Sequence, residues 1–163
     1  MSVENLFVTL SAAKLRQSVA RIEVCLGKLT DDQIWQRGHE TENAVGNLVL
    51  HLAGNVRQWV ISGLGGEPDN RIREREFSTR SGIPAAELAA LLRDVIQQAA
   101  TVIESLTADQ LTHVYRIQDR EPSGVEAVMS VVEHFGQHTG QIIYATKNLT
   151  GQDLKLMSPG PKK

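Results

Sequence analysis

The stretch from Ser123 to Leu149 constrains the fold more than any other part of the chain. Ser123 and Glu126 have the three-residue spacing of a capping box, which stabilises the first turn of a helix. A mostly apolar stripe follows at helical intervals, formed by Val125, Val128, Val132, Phe135, Thr139, Ile142 and Thr146. We therefore predict one long amphipathic helix over this stretch, packed by its stripe onto a hydrophobic core.

This predicted helix carries two histidines, His134 and His138, one turn apart at one edge of the apolar stripe. Two imidazoles at this spacing are able to bind the same metal ion. The same pair also arises by chance, and a histidine at a helix edge is often a partly buried residue that is hydrogen-bonded to a neighbour. Without a Cys-x-x-Cys or His-Glu-x-x-His signature, the spacing alone leaves both interpretations open.

A third donor is present on a second predicted helix, from about Ala44 to Ser62. Its apolar stripe is formed by Val45, Leu48, Val49, Leu52, Val56 and Trp59. His51 falls at the edge of that stripe, so three histidines on two helices are compatible with one shared site. The remaining histidines, His39 and His113, lie in predicted connections, where we expect no ligand role.

Composition favours a single soluble domain. A chain of 163 residues suits one domain, and a net charge of -2 with 22% charged residues gives no indication of a nucleic-acid partner. No apolar run approaches the roughly 20 residues of a membrane span, and the N-terminus lacks the features of a signal peptide. The single cysteine, Cys25, fits a reducing compartment and is predicted to be a small buried side chain. We expect a cytoplasmic protein.

Weak strand-like alternation and four long helical patterns predict an all-α fold. The predicted helices are Val3 to Lys28, Ala44 to Ser62, Pro84 to Leu106, and Ser123 to Leu149. The sequence Leu-Thr-Asp-Asp-Gln at Leu29 is echoed by Leu-Thr-Ala-Asp-Gln at Leu106, which indicates a pseudo-repeat of two helix pairs.

The connection from Gly63 to Ile83 lacks periodicity and is predicted to be a long crossover loop that covers part of the molecule. We therefore expect a four-helix bundle with up-down-down-up topology. Residues 1–150 would form the domain, and residues 151–163 would form a tail without a core pattern.

Several polar residues are candidates for supporting roles. Asn47, Asn55 and Gln141 are placed to orient an imidazole or touch a substrate, although a solvated helix edge is an equal interpretation. Four arginines of the crossover are candidates for binding an acidic substrate, but interleaved Glu74 and Glu76 favour a solvated surface; they are Arg71, Arg73, Arg75 and Arg80. Glu133 is expected to face away from the metal, since adjacent helical residues point about 100° apart.

Two helix faces are compatible with association. Leu50 and Ile61 are predicted on the face of the second helix opposite its main stripe, and Gly136 and Gly140 form a flat patch on the last helix. These features permit a second helix layer or a symmetric dimer.

Two motifs together resemble a known superfamily. They are Asn47-Leu-Val-Leu-His51-Leu-Ala-Gly-Asn55 and Val132-Glu-His134-Phe-Gly-Gln-His138-Thr-Gly-Gln-Ile. With the Leu-Thr-x-Asp-Gln turns and the Arg-Glu-Phe segment, they are similar to the DinB-like (YfiT-like) superfamily of metal-binding four-helix bundles. The similarity spans nearly the whole chain and is greatest to a branch known only as a domain of unknown function.

The resemblance implies a zinc or nickel ion held by His51, His134 and His138, and a homodimer as in many members. Characterised relatives include transferases that use the thiols bacillithiol or mycothiol, and an isomerase that uses mycothiol. The function implied is therefore a metal-dependent thiol transferase or hydrolase acting on a small molecule, with a low-molecular-weight thiol as a candidate cofactor. The alternatives are a non-catalytic dimeric module that binds a metal or a small ligand, and a purely structural helical dimer.

Overall fold

The computed structural model describes residues 2–156, which are helical apart from turns, connections and two isolated β-bridges. The long helices are α1 (Val3–Leu26), α3 (Val45–Val56), α5 (Ala85–Glu104) and α7 (Gly124–Thr150), and α3 continues into a π-helical segment (Arg57–Leu64). The short helices are α2 (Asp31–Trp35), α4 (Arg73–Ser78) and α6 (Ala108–Thr112). The predicted all-α class is confirmed.

The core lies between the four long helices. Helix α1 packs against α5 and α7, and α3 packs against the same two helices. The predicted stripe of α3 and its π-helical extension is buried throughout, from Val45 to Trp59. In α7 the register differs slightly, because Ala127 and Val131 are buried while Val125 is exposed. Cys25 is fully buried as predicted, and this burial raises the pKa of its thiol.

The repeated Leu-Thr-x-Asp-Gln sequences form the same local structure twice. Thr30 and Gln33 make a reciprocal capping box at the start of α2, and Thr107 and Gln110 do so at the start of α6. The predicted box of Ser123 and Glu126 likewise caps α7. In each box two backbone N–H groups that the helix cannot satisfy find side-chain acceptors.

The prediction that Ile61 lies on the outer face of the second helix is wrong, because its side chain is buried. It lies in the π-helical segment, where the wider i→i+5 turn rotates residues relative to a projection made at about 100° per residue. Leu50 precedes that segment and remains partly exposed.

The crossover from Gly63 to Ile83 is also corrected, because it contains α4 and is not a continuous loop. Six residues are too few for a hydrophobic period to stand out, and α4 is held by buried polar contacts from α3. In the tail, Leu154 packs into the core despite the lack of a core pattern, and the last residues of the tail lie outside the described residues. Between residues 2 and 156, no helix has both the length and the apolar character that crossing a membrane requires.

Candidate metal centre

Helices α3 and α7 bring His51, His134 and His138 together. One ring nitrogen from each histidine lies within 4.8 Å of the other two. The centre of the His51 ring lies 5.0 Å from the centre of the His134 ring and 5.1 Å from that of the His138 ring. The centres of the two α7 rings are 4.4 Å apart. His39 and His113 are exposed and lie outside this group. The three histidines named from the sequence therefore converge at one place.

Hydrogen bonds fix which nitrogen of His51 and of His138 is available. His51 Nδ1 lies 2.9 Å from Glu76 Oε2, and His138 Nδ1 lies 2.6 Å from Gln141 Oε1. Since these oxygens accept, each Nδ1 carries the proton and each Nε2 keeps its lone pair. An imidazole in this tautomer is a metal ligand through Nε2.

The spacing of the nitrogens suits a transition metal. His51 Nε2 and His134 Nε2 are 2.9 Å apart. Metal–nitrogen bonds of about 2.0–2.1 Å in tetrahedral geometry place two ligand nitrogens about 3.3 Å apart, so the His51 and His134 nitrogens need to separate only slightly to bind one ion. The donor set of three imidazoles fits zinc, nickel or copper and disfavours magnesium and calcium.

The electrostatic environment favours the neutral form of the two α7 imidazoles. Burial, with the neighbouring His138 and His51, lowers the pKa of His134 to about 4. Burial also lowers the pKa of His138, although the hydrogen bond that His138 donates to Gln141 acts in the opposite direction. Only a neutral imidazole offers a lone pair, so both α7 histidines are in the ligand-competent form at neutral pH.

Glu76 of α4 supports His51 and was missed by sequence reasoning. Its carboxylate accepts from Arg71 Nε at 2.7 Å and from Arg71 Nη2 at 2.9 Å, in addition to His51. The side chains of Arg71 and Glu76 are only 4% and 9% exposed, so this is a buried ion pair. Burial alone would raise the pKa of Glu76, but the hydrogen bonds from Arg71 and His51 hold it below its usual value.

Asn47 positions the segment that carries Glu76. Its Nδ2 donates to the carbonyl oxygens of Glu76 at 2.8 Å and Thr79 at 2.9 Å, and its Oδ1 accepts from the backbone N–H of Ala44. The side chain is fully buried. The sequence placed Asn47 beside the site, but its role in the structure is to fix α4 against α3 and not to contact a histidine ring.

Gly54 makes room for the Glu76 carboxylate. It lies one turn after His51 inside α3, and a Cβ at this position would overlap Glu76 Oε1 and lie 3.1 Å from Arg71 Nε. Glycine inside a helix costs about 0.5–1 kcal/mol relative to alanine, so its presence here trades helix stability for the close approach of α4. In the sequence, a glycine one turn after His51 was the one sign that another side chain packs closely against α3 beside this histidine.

A cavity of about 440 Å³ opens beside the histidines. Its wall includes His51, His134 and Trp59, together with the polar side chains of Asn55 from α3, Arg71 and Arg73 from the crossover, and Gln118 and Arg120 from the connection between α6 and α7. Asn55 therefore reaches the site as the sequence allowed, and Gln141 contacts His138. Glu133 also lies in the cavity wall, where it is exposed and accepts a hydrogen bond from Gln137 on its own helix.

The crossover arginines separate into different roles. Arg71 is buried with Glu76, and Arg73 lines the cavity. Arg75 lines a different groove between α3 and α5, and Arg80 donates to the Phe77 carbonyl at 2.7 Å. The charge run is therefore not a uniformly solvated surface. Arg120, between α6 and α7, was not singled out from the sequence.

Comparison with known proteins identifies the family but not an activity. The family model described as "Protein of unknown function (DUF1572)" matches residues 2–163. No curated protein matches the chain.

Solved structures share the fold at low sequence identity. A conserved protein from Enterococcus faecalis has a TM-score of 0.76 at 16% identity, over 93% of this chain and 99% of its own. A DinB-like protein from Bacillus subtilis has a TM-score of 0.67 at 15% identity, over 88% and 94% of the two chains. A DinB-like protein from Bacillus cereus has a TM-score of 0.67 at 18% identity, over 90% and 92%. The chain belongs to the DUF1572 family of proteins of unknown function.

Proposed function

We propose that the protein binds one divalent transition metal ion, zinc or nickel, through Nε2 of His51, His134 and His138. The observation that carries this proposal is the convergence of the three ring nitrogens within 4.8 Å at the wall of an open cavity. The tautomers set by Glu76 and Gln141 direct ligand lone pairs toward the shared position. Three protein ligands leave at least one coordination position for a small molecule, as in catalytic metal sites.

We further propose that the site is that of a metal-dependent thiol transferase or hydrolase. When bound, the metal supplies a Lewis acid that makes a thiol or a water molecule more acidic and polarises a substrate. The cavity volume of about 440 Å³ lies in the range of small-molecule sites. Cys25 is buried in the core, so a reacting thiol has to come from a low-molecular-weight cofactor or from the substrate.

The protein's own residues then orient the reactants. Glu76 holds the His51 ring in one tautomer, and Arg71 holds Glu76 in place. The Trp59 side chain gives the cavity an apolar wall, while Asn55 and Gln118 offer hydrogen-bonding groups.

For the fold, we propose the up-down-down-up four-helix bundle. Arg16 pairs with Glu104 and Glu23 pairs with Arg93, a register that supports an antiparallel α1 and α5. Trp35 Nε1 donates to the Ile83 carbonyl, and a Cβ on Gly46 would meet the Trp35 ring, which supports a common end for the starts of α3 and α5. Gln33 of α2, just after α1, donates to the Leu149 carbonyl, which supports a common end for the C-termini of α1 and α7.

We also propose a homodimer. Val3, Leu6 and Leu10 recur at helical spacing on α1 and are exposed, and Met129 is half exposed on α7. Such apolar surface is suited to a symmetric interface.

Cobalt(II) substitution tests whether the proposed metal site is open to a thiol. The chelator-treated protein is loaded with cobalt, and its visible absorption is recorded during titration with 2-mercaptoethanol. We expect a cobalt spectrum typical of nitrogen ligation that changes on thiol addition, and no such spectrum in His51→Ala. A cobalt spectrum that no thiol alters would contradict the enzymatic proposal and favour the non-catalytic metal-binding module.

A further inference from the structure

Two arginines in the cavity wall form no ion pair with a carboxylate of the described residues. Arg73 comes from the first turn of α4, and Arg120 comes from the tight turn between α6 and α7 that Ile117 and Arg120 close. Among residues 2–156, neither side chain belongs to an ion pair, whereas the charge of Arg71 in the same wall is balanced by Glu76. Neither arginine charge in the cavity wall is thus neutralised by an ion pair within these residues.

Arg73 is held beside the histidines by stacking. Its guanidinium carbon lies 4.9 Å from the centre of the Phe77 ring, and that ring lies 4.9 Å from the His51 ring. A guanidinium that stacks by its face keeps the N–H groups at its edge available, and these match a carboxylate or phosphate as a two-pronged donor. Phe77 therefore orders the arginine without using its hydrogen bonds.

Glu133 is the acidic side chain in this wall, and it does not cancel both arginines. It is exposed and engages Gln137 on α7. With Arg71 and Glu76 paired, two arginines face one glutamate, and a divalent metal would add further positive charge. A cavity with this balance attracts anions and disfavours cationic substrates.

We propose that the substrate or thiol cofactor of this site carries a carboxylate or phosphate group, which pairs with Arg73 and Arg120 while the reacting part of the molecule faces the three histidines. This inference rests on the proposed function for the reacting end of the molecule. The anion subsite itself depends on the arginines alone, so the two can fail separately.

Calorimetric titration with simple probes tests the subsite. Zinc-loaded and chelator-treated protein are each titrated with succinate, with inorganic phosphate, and with succinamide as the uncharged analogue of succinate. We expect succinate or phosphate to bind at least about tenfold more tightly than succinamide, since charge-assisted hydrogen bonds to each arginine are lost with the neutral probe. The preferred anion then distinguishes a carboxylate from a phosphate ligand.

The variants Arg73→Gln and Arg120→Gln should each weaken anion binding about tenfold and leave succinamide unchanged. Arg75→Gln is the matched control, because Arg75 lies on the same short helix but lines the other groove. Arg73→Lys keeps the charge without the two-pronged geometry and should fall between the wild type and Arg73→Gln. Circular dichroism on each variant verifies that it is folded.

Equal affinity for charged and neutral probes, no binding of any probe, or an equal loss in Arg75→Gln would overturn the subsite. Zinc content measured on the same samples separates the two proposals. Anion binding that depends on Arg73 in a protein that takes up no zinc would leave the subsite standing and defeat the metal proposal. Zinc uptake by a protein that binds charged and neutral probes equally would leave the metal proposal standing and defeat the anion subsite.

Discussion

The two histidine-bearing helices support their ligands in different ways. His51 on α3 is buried and is held by Glu76, which Arg71 fixes in turn; Glu76 and Arg71 lie 25 and 20 residues further along the chain. On α7, His138 is half-buried and bonded to Gln141 of its own helix, and His134 meets His51 across the site. One half of the site is therefore organised by tertiary contacts and the other by local helix geometry.

The glycines of the two helices also differ in how closely other residues pack against them. Gly54 on α3 is pressed against the Glu76 carboxylate, whereas Gly136 and Gly140 on α7 have open space where a Cβ would be. The α3 half is thus packed around α4, and the α7 half is not. The difference predicts that distant changes in the chain will disturb His51 more than they disturb His134 or His138.

Loss of a ligand should have the largest effect. We expect His134→Ala and His138→Ala to abolish stoichiometric zinc binding and to leave helical content largely intact, because neither ring is part of the apolar core. Isothermal titration with zinc and far-UV circular dichroism provide the measurements. His113→Ala is the control and should bind zinc like the wild type; retained tight binding in either α7 variant would contradict the ligand assignment.

Removing the charge on Glu76 should have the next largest effect. Glu76→Gln leaves the buried Arg71 without its counter-charge, so unfolding free energy should fall by about 3–5 kcal/mol. Zinc affinity should fall about 10–100-fold, since a neutral amide offers one acceptor oxygen in place of the two carboxylate oxygens that Arg71 and His51 now share, which weakens the bond that fixes the His51 tautomer. Denaturant unfolding of the metal-free protein measures the change in unfolding free energy, and competition with a chelator measures the change in zinc affinity. Glu74→Gln on the same helix is the matched control, and an unchanged zinc affinity in Glu76→Gln would break the proposed coupling.

An alanine in place of each glycine sharpens the comparison of the two helices. Gly136→Ala should raise the unfolding free energy by about 0.5–1 kcal/mol, as expected for an open helix position. Gly54→Ala should instead lower both stability and zinc affinity, because the new methyl group displaces the Glu76 carboxylate. Thermal unfolding with and without zinc tests both. If Gly54→Ala were as stabilising as Gly136→Ala, the close packing of α3 against α4 would be refuted.

Gln141 should matter least. Its bond to His138 is local and uncharged and lies at a more exposed edge, so Gln141→Ala should weaken zinc binding by less than about tenfold and change the unfolding free energy by no more than about 0.5 kcal/mol. The same chelator competition measures the change. A loss as large as that of Glu76→Gln would show that the two halves of the site do not differ.

The contrast also explains what the sequence could reveal. The i, i+4 pair on α7, its capping box and the apolar stripe of α3 are local patterns, so the histidines and the long helices could be predicted. Glu76 could not, because its role depends on where α4 folds back onto α3, and a six-residue helix with alternating charges resembles a solvated surface. The π-helical segment after Val56 could not be predicted from the sequence either, and it turns Ile61 into the core and not onto the outer face.

Metal content of the purified, tag-free protein tests the central claim most directly. Inductively coupled plasma mass spectrometry would be applied to the wild type, His51→Ala and His138→Ala after reconstitution with zinc or nickel and removal of free metal. The three-histidine site predicts about one ion per chain in the wild type and a loss of that ion in both variants. A wild-type protein as empty as the variants with either metal would contradict the site and the function proposed for it.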